Sequence, residues 1–574
     1  MTTAPSESIL AADIGNITTR AALFDIVHGS FRFVAAGEAR STVEPPFSYM
    51  GEGLRQALEH LKALTGRDFM DEGERLLMPA RANGAGVDSF AVSASAGKPL
   101  RTVVVGLMPN LSLASAERVA LSAQTAIADR FGLGDRRKYE KQIDDIINCK
   151  PELVIIAGGT DHGSQGAVLQ MTDMVALACK RIREGTRPEI LFVGNAALHD
   201  RVRDMFAGLC EVSTTENVRP GLDEENITPA RRHLAYIYER ARLSRLSGYA
   251  ELAQWSGGGV TPNAVALGSL IRHISEAREG KALLGVDIGS VSTTLVASAG
   301  DDHTISVRSD LGVGHSAGML LPSTASIARW VPDETNDDEV RNYLSNKSLT
   351  PATVPHELHE LYLEHALARQ CLHNALLSVH WPAKVKNASG FLPNFDTIIA
   401  TGAVLSRAPK PGQAALILID GLQPTGVTKL VLDWQSVLPM LGAAAALNPV
   451  AVVQVLAAGA LLDMGTVVAV TGGRTGHLAC RVKITMPSQT VQEEIEFGEL
   501  RVFHLPPGES KAHIQPLGNY DVGAGRGAGK SLTLYESAVG LIIDARGRPI
   551  SIPTGAARRE AVGQWCAALG QYGL

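Results

Sequence analysis

Two carboxylates stand at matching places in this 574-residue chain. Asp13 ends the apolar run ILAA and opens DIGNITTRAALF, and Asp287 ends LLGV and opens DIGSVSTTLVAS. The segments agree at Asp13/Asp287, Ile14/Ile288, Gly15/Gly289 and Thr19/Thr293, with small or β-branched residues between them. A strand that runs into Asp-x-Gly and turns through hydroxyl residues into a second strand gathers backbone N–H groups over a concave surface, which can cradle phosphate oxygens. Gly15 and Gly289 let the backbone approach an anion, while Asn16, Thr18, Thr19, Ser290, Ser292 and Thr293 can add amide or hydroxyl donors. A carboxylate repels phosphate, so Asp13 and Asp287 need a cation or a water to act on. The chemistry expected of them is to hold Mg2+ through water and to orient an attacking water. Taken singly, either hairpin is equally an ordinary tight turn; the repetition favours a paired site.

A third segment, DTIIATGAVLS at 396–406, reads as a strand that delivers Thr401 and Gly402 at its carboxyl end, where α/β sheets bind ligands. Having no side chain, Gly402 could let an adenosine pack flat on this loop. The Gly158-Gly159-Thr160-Asp161 loop has a similar form but no partner in the scheme. AGRGAGKS at 524–531 imitates a P-loop, yet polar Gly518-Asn519-Tyr520-Asp521 precedes it and a strand-like run follows, so phosphate-loop function is not expected there. His356, His359, His365, His373 and His380 lie on different helix faces without the HExxH spacing, and read as solvated or capping residues.

The elements that must position these residues follow from pattern. Strand-like runs alternate with helical ones from residue 9: helices are expected at 53–64, 114–131 and 173–184, and strands at 89–93, 101–107, 153–157 and 189–193. Such alternation means an α/β fold with parallel or mixed sheets. A Gly/Ser-rich break at 256–259 precedes the second Asp-Ile-Gly start, after which 356–379 reads as helix and 397–400 and 415–420 as strands. The expected organisation is a first α/β lobe with an insertion at 1–255, divisible into two subdomains, a second lobe at 281–465 and a β-rich C-terminal module at 466–574.

Composition narrows the function classes. Hydrophobic residues make up 45%, charged residues 20%, and the net charge is −6, an ordinary soluble balance. No Lys/Arg run offers a nucleic-acid footprint. The six cysteines include no CxxC pair, so neither a disulfide framework nor a zinc knuckle is indicated. The apolar stretch 450–470 carries Gln454, Asp463, Gly459 and Gly465, and reads as a buried helix followed by a strand rather than a membrane span. With no secretory pattern at the start, a cytoplasmic location is expected.

The Asp13 hairpin, the Asp287 hairpin and the Gly402 loop, in that order, resemble the two phosphate motifs and the adenosine motif of the actin-like ATPase superfamily of actin, heat-shock chaperones and sugar kinases. Over most of its length the chain also resembles the accessory L proteins of glutamate mutase operons (MutL or GlmL, unrelated to the mismatch-repair protein), through AADIGNITTRAALFD, KPLRTVVVGLMPNLSLASAERVAL, ELVIIAGGTDHG, GVDIGSVSTTLVA, TIIATGAVLS and GLIIDARGRP. The resemblance implies a two-lobed, ribonuclease H-like fold, binding of ATP and Mg2+, and a slow ATPase that reactivates or assembles a partner enzyme, an adenosylcobalamin-dependent mutase being one candidate. Thr401-Gly402 stands where the superfamily often has two glycines. A nucleotide-binding scaffold without turnover and a small-molecule kinase remain open as alternatives, as does homo-oligomerisation.

Overall fold

Apolar side chains on both faces make the N-terminal run an interior strand. In the computed structural model, which describes residues 8–382, 384–385, 392–472 and 476–570, β1 (Ser8–Ile14) is buried throughout. It pairs antiparallel with β2 (Thr18–Val27), and β2 with β3 (Ser30–Arg40). Helix α1 (Met50–Thr65) lays Leu54, Leu58 and Leu61 on this sheet, and β4 (Ser89–Ala94) adds parallel to β1.

The chain then leaves the lobe for residues 95–260 and builds a second, all-parallel sheet. Its strands are β5 (Leu100–Gly106), β6 (Thr125–Phe131), β7 (Leu153–Ala157), β8 (Glu189–Phe192) and β9 (Val212–Thr214), in the order β6-β5-β7-β8-β9. Helices α2 (Ala114–Ala120), α3 (Tyr139–Cys149), α4 (Gly166–Arg181) and α5 (His199–Phe206) make the crossovers. A single helix across 114–131 is therefore corrected: α2 stops at Ala120, and 125–131 is an edge strand whose alternating exposure, buried Thr125 and Phe131 around exposed Ala126, Ala128 and Arg130, has period two. Helices α6 (Thr228–Ala241) and α7 (Tyr249–Ser256) lead back to β10 (Thr261–Pro262), which completes lobe I as β10-β4-β1-β2-β3. Helix α8 (Asn263–Ala277) then crosses to the second lobe.

Lobe II repeats lobe I. Its hairpin strands are β11 (Ala282–Ile288), β12 (Thr293–Ala299) and β13 (Asp302–Arg308), followed by helices α9 (Thr324–Ala328), α10 (Asp337–Leu349) and α11 (Leu358–Leu376). Then come β14 (Thr397–Thr401), α12 (Ala403–Ser406), α13 (Pro411–Leu422), β15 (Gly426–Leu432) and α14 (Leu438–Ala444). The sheet opens β13-β12-β11-β14-β15, the order of lobe I again, and this duplicated order is the expected actin-like arrangement. The strand expected at 415–420 is instead the middle of α13. Every residue from Gly412 to Leu422 is buried, so no polar stripe revealed the helical period, and Pro411 at its first turn starts the helix.

Helix α15 (Pro449–Ala457) and β16 (Leu462–Ala469) fill the apolar stretch 450–470, and no helix among the described residues is long and apolar enough to cross a membrane. The β-rich region after β16 divides. Strands β17 (Leu478–Thr485), β18 (Thr490–Glu496), β20 (Ser510–Pro516) and β21 (Lys530–Leu534) form a separate antiparallel sheet. Strands β19 (Leu500–Phe503) and β22 (Gly540–Asp544) join lobe II and extend its sheet to eight strands. Helix α16 (Gly555–Ala568) adds Val562, Trp565 and Cys566 to the lobe II core. A buried ionic cluster ties these pieces together: Asp420 of α13 meets Arg369 of α11 and Arg546, each at 2.8 Å, and Asp544 meets Arg546 at 2.8 Å and Arg548 at 2.9 Å.

The lobes meet through α8 and α14, which share one core with the facing sheets: Leu267, Leu270 and Ile271 against Leu438, Met440 and Leu441, with Phe24 and Val296 beside them. Gly442 makes the approach possible, since a Cβ there would stand 2.2 Å from the Ala266 carbonyl oxygen.

Candidate functional site

Both Asp-Ile-Gly turns close in the same way. Gly15 N–H donates to the Thr18 carbonyl at 3.0 Å, and Gly289 N–H to the Ser292 carbonyl at 2.8 Å. The turns face one cavity of 720 Å³ between the lobes, which Asp13, Gly15, Asn16 and Thr18 line from one side and Asp287, Gly289, Ser290 and Ser292 from the other. Gly402 lines it as well, with φ 104° and its Cα so close to β11 that a Cβ would stand 2.3 Å from the Ile288 carbonyl oxygen. No side chain fits there.

Three expected donors do not reach the cavity. Side chains alternate across a strand, so Thr19 and Thr293, the first residues paired with Ile14 and Ile288, point to the far face: Thr19 is fully buried and Thr293 donates to the Leu311 carbonyl at 2.7 Å. Their successors, Arg20 and Thr294, face the cavity beside Asp13 and Asp287. Thr401 is buried and gives its hydroxyl to Asp433 at 2.8 Å. Among the donors that do line the cavity, Asn16 already accepts Gly97 N–H at 2.8 Å, and Ser290 shares a hydrogen bond with His315 Nδ1 at 2.8 Å.

The electrostatics of the cleft are set by carboxylates taken out of water. Burial pushes the Asp13 carboxyl up to about 6; Arg20 and a 3.2 Å hydrogen bond from Ser93 oppose this, and Asp433 adds to it. Burial pushes Asp287 up to about 7, with the charge of Asp13 next in importance and Arg20 opposing. Asp433 is likewise raised by burial, against the hydrogen bonds it accepts. Desolvated carboxylates that share one guanidinium make a place where added positive charge is favourable. Among the described residues no cluster of three or more His, Cys, Asp or Glu side chains is arranged to hold a metal. A divalent ion would be met by Asp13 and Asp287 and keep several waters, which fits Mg2+.

The remaining walls come from elements to which the sequence assigned no role in the cleft. The first turn of α8, Asn263 to Val265, lines one end of the cavity; Gln124 and Tyr238 from residues 95–260 line another, joined by a 2.8 Å hydrogen bond. Lys347 and Glu364, paired at 3.0 Å, form a polar wall in lobe II with His365, which was expected to be solvated or capping but is buried in the middle of α11, where burial pushes its imidazole down to about 3. Ties cross between the lobes at both rims: Arg407 with Glu38, His315 with Glu44 at 3.2 Å, and Val307 N–H to the Leu121 carbonyl at 2.6 Å. Arg20 and Thr294 could have been found by counting alternation from Asp13 and Asp287; the other wall residues carry no signal for the cleft in the sequence.

Two other loops lie elsewhere. Gly158 to Asp161 sits at the carboxyl end of β7, held by Asn217 through Gly159 O and Asp161 Oδ1, each at 2.9 Å, and takes no part in the cavity. The Gly523–Lys530 loop is closed by Asp521, which accepts the N–H groups of Gly523, Ala524 and Gly525.

Comparison with known proteins adds a family. The model of a family described as "MutL protein" matches residues 9–459. "Protein MutL" of Clostridium tetanomorphum is 25% identical over 359 residues, covering 57% of this chain and 75% of its own length. Among solved structures, a nucleotide-free acetone carboxylase aligns over 86% of this chain and 81% of its own, at 13% identity and a TM-score of 0.33. Component A of the (R)-2-hydroxyglutaryl-CoA dehydratase of Acidaminococcus fermentans aligns over 77% and 99%, at 10% identity and a TM-score of 0.26. A nucleotide-free diol dehydratase-reactivating factor aligns over 73% and 95%, at 12% identity and a TM-score of 0.26.

Proposed function

Because this chain belongs to the MutL protein family and has the two-lobed actin-like ATPase fold, we propose that it binds ATP with Mg2+ between its lobes and serves a partner enzyme as an accessory factor. The observation that carries this reading is the pair of identically closed Asp-x-Gly turns facing one cavity. Backbone amides at Asn16 to Thr18 and Ser290 to Ser292, presented by the closed turns, would grip the phosphates from both sides, and Gly402 would make room for the nucleoside. Mg2+ would neutralise the phosphate charge and be held through water by Asp13 and Asp287. One of these carboxylates, deprotonated once the cation is present, would accept a hydrogen bond from the attacking water and so orient it. Closure of the lobes would exclude bulk water and pass the nucleotide state to the partner. Calorimetry with Mg-ATP and a phosphate-release assay test the reading. Asp13→Asn and Asp287→Asn are expected to abolish release with the fold intact, and unchanged hydrolysis in both would refute it; binding without release would mark a scaffold. An adenosylcobalamin-dependent mutase is the candidate partner, checked by its recovery on the tagged protein with and without ATP.

A further inference from the structure

The lobes repeat one another strand by strand around the cleft, and one buried position breaks the repeat. In lobe I, Asp13 lies opposite Ser93 on β4, and Ser93 opposite Thr261 on β10. In lobe II, Asp287 lies opposite Thr401 on β14, and the next strand, β15, runs on to Asp433, whose N–H donates to the Ala400 carbonyl at 2.8 Å. A neutral threonine in one lobe is thus a carboxylate in the other. The fold itself does not demand the charge, since lobe I builds the same corner without it, and a fully buried carboxylate beside two others is costly to keep.

The contacts of Asp433 say what the charge does. It does not line the cavity. Its oxygens accept the Thr401 hydroxyl at 2.8 Å, Val437 N–H at 2.9 Å and Leu438 N–H at 2.8 Å. The last two amides belong to the start of α14, so the carboxylate meets the positive end of that helix. Thr401 is the strand neighbour of Asp287 and precedes Gly402 in the cavity wall. Helix α14 packs on α8, β1 and β4, all elements of lobe I or leading from it, with Gly442 pressed on Ala266. The start of α8, which has no side-chain cap, lines the same cavity. One side chain therefore joins the edge of the cleft in lobe II to the helix pair between the lobes.

Resting on the nucleotide reading above, we infer that Asp433 is a positioning residue that couples the cleft to lobe closure, by holding Thr401 and the start of α14 as one unit. A shift of the β11–β14 edge when Mg-nucleotide binds is then passed through α14 to α8 and lobe I. Asp433→Asn and Thr401→Val in the full-length protein test it, with Mg-ADP and a Mg-bound non-hydrolysable ATP analogue as probes. Calorimetry reads affinity, small-angle X-ray scattering reads compaction, and phosphate release reads turnover. Both variants are expected to bind within about threefold of wild type, to lose the ligand-induced compaction, and to lose about tenfold or more in kcat with KM little changed. Thr401→Val leaves the helix cap in place, so it carries the test if Asp433→Asn does not fold. Wild-type compaction and turnover in a folded variant overturn the coupling, as does a wild type that binds without compacting. A wild type that binds no nucleotide removes the underlying reading instead.

Discussion

Asp287→Asn should stabilise the empty protein, and only above a definite pH. Burial, then the charge of Asp13, lifts its carboxyl from 3.8 to about 7. Below about pH 4 the group is protonated folded and unfolded, and it costs nothing. Between about 4 and 7 the folded chain keeps a proton that the unfolded chain has lost, so this group lowers stability progressively as pH rises. Above about 7 the penalty is complete: the gap between 3.8 and about 7, at 1.36 kcal/mol per pH unit, sets a ceiling of roughly 4 kcal/mol, which water in the cleft lowers because Asp287 is only partly buried. An asparagine cannot ionise, although its amide must still be desolvated, so a gain of about 2 kcal/mol is a fair expectation at pH 8. The assay is thermal and urea unfolding of wild type and variant without ligand from pH 4.5 to 8.5, reading the difference between them because a chain of several units need not unfold in one step. The gain should shrink towards pH 4.5, and Mg-ATP should restore the wild type preferentially. A variant less stable at pH 8, or a gain that does not change with pH, refutes the reasoning.

Four further substitutions have expected outcomes. Gly402→Ala places a Cβ 2.3 Å from the Ile288 carbonyl oxygen at φ 104°, so it should cost about 1–3 kcal/mol in urea unfolding and weaken Mg-ATP binding in calorimetry. Arg546→Met leaves Asp420 and Asp544 short of a buried partner and should cost about 3–5 kcal/mol. Arg481→Met, which breaks the exposed pair with Glu494, should cost under about 1 kcal/mol in the same assay. Glu38→Gln cuts the rim tie to Arg407 and should raise both association and dissociation rates of Mg-ATP in stopped flow while leaving unfolding unchanged.

Apart from the Gly402 loop, the parts of the cleft that could be read in advance were those written twice. Asp13 and Asp287 stand out because each ends an apolar run and each is followed by the same glycine and hydroxyls, so the repeat itself marked the two turns. Thr19 and Thr293 belonged to the same repeat, but strand alternation turns them away and presents Arg20 and Thr294. That was open to counting. Asp433 was not: it sits in an unremarkable VLDWQS, and gains meaning only when β15 lies beside β14. Nor could pattern separate a buried helix from a buried strand at 415–420, or show that 125–131 pairs with β5 rather than continuing α2. Pairing between distant segments decided which sheet each strand joined, and hence why 95–260 stands as its own doubly wound unit and why β19 and β22 left the β-rich region for lobe II.

That last arrangement sets an order of assembly on the ribosome. Lobe I and its insertion have all their strands once residue 262 has emerged. Lobe II must wait: β22 lies inside its sheet between β16 and β19, and Asp420 waits for Arg546. A nascent chain paused before residue 540 would carry a finished first half and a second half with an open sheet edge at β16 and a buried acid held by Arg369 alone, a species prone to capture by chaperones or to aggregation. Tags and truncations at the two ends should accordingly differ in effect, with loss of the last forty or so residues felt in the core sheet of lobe II itself.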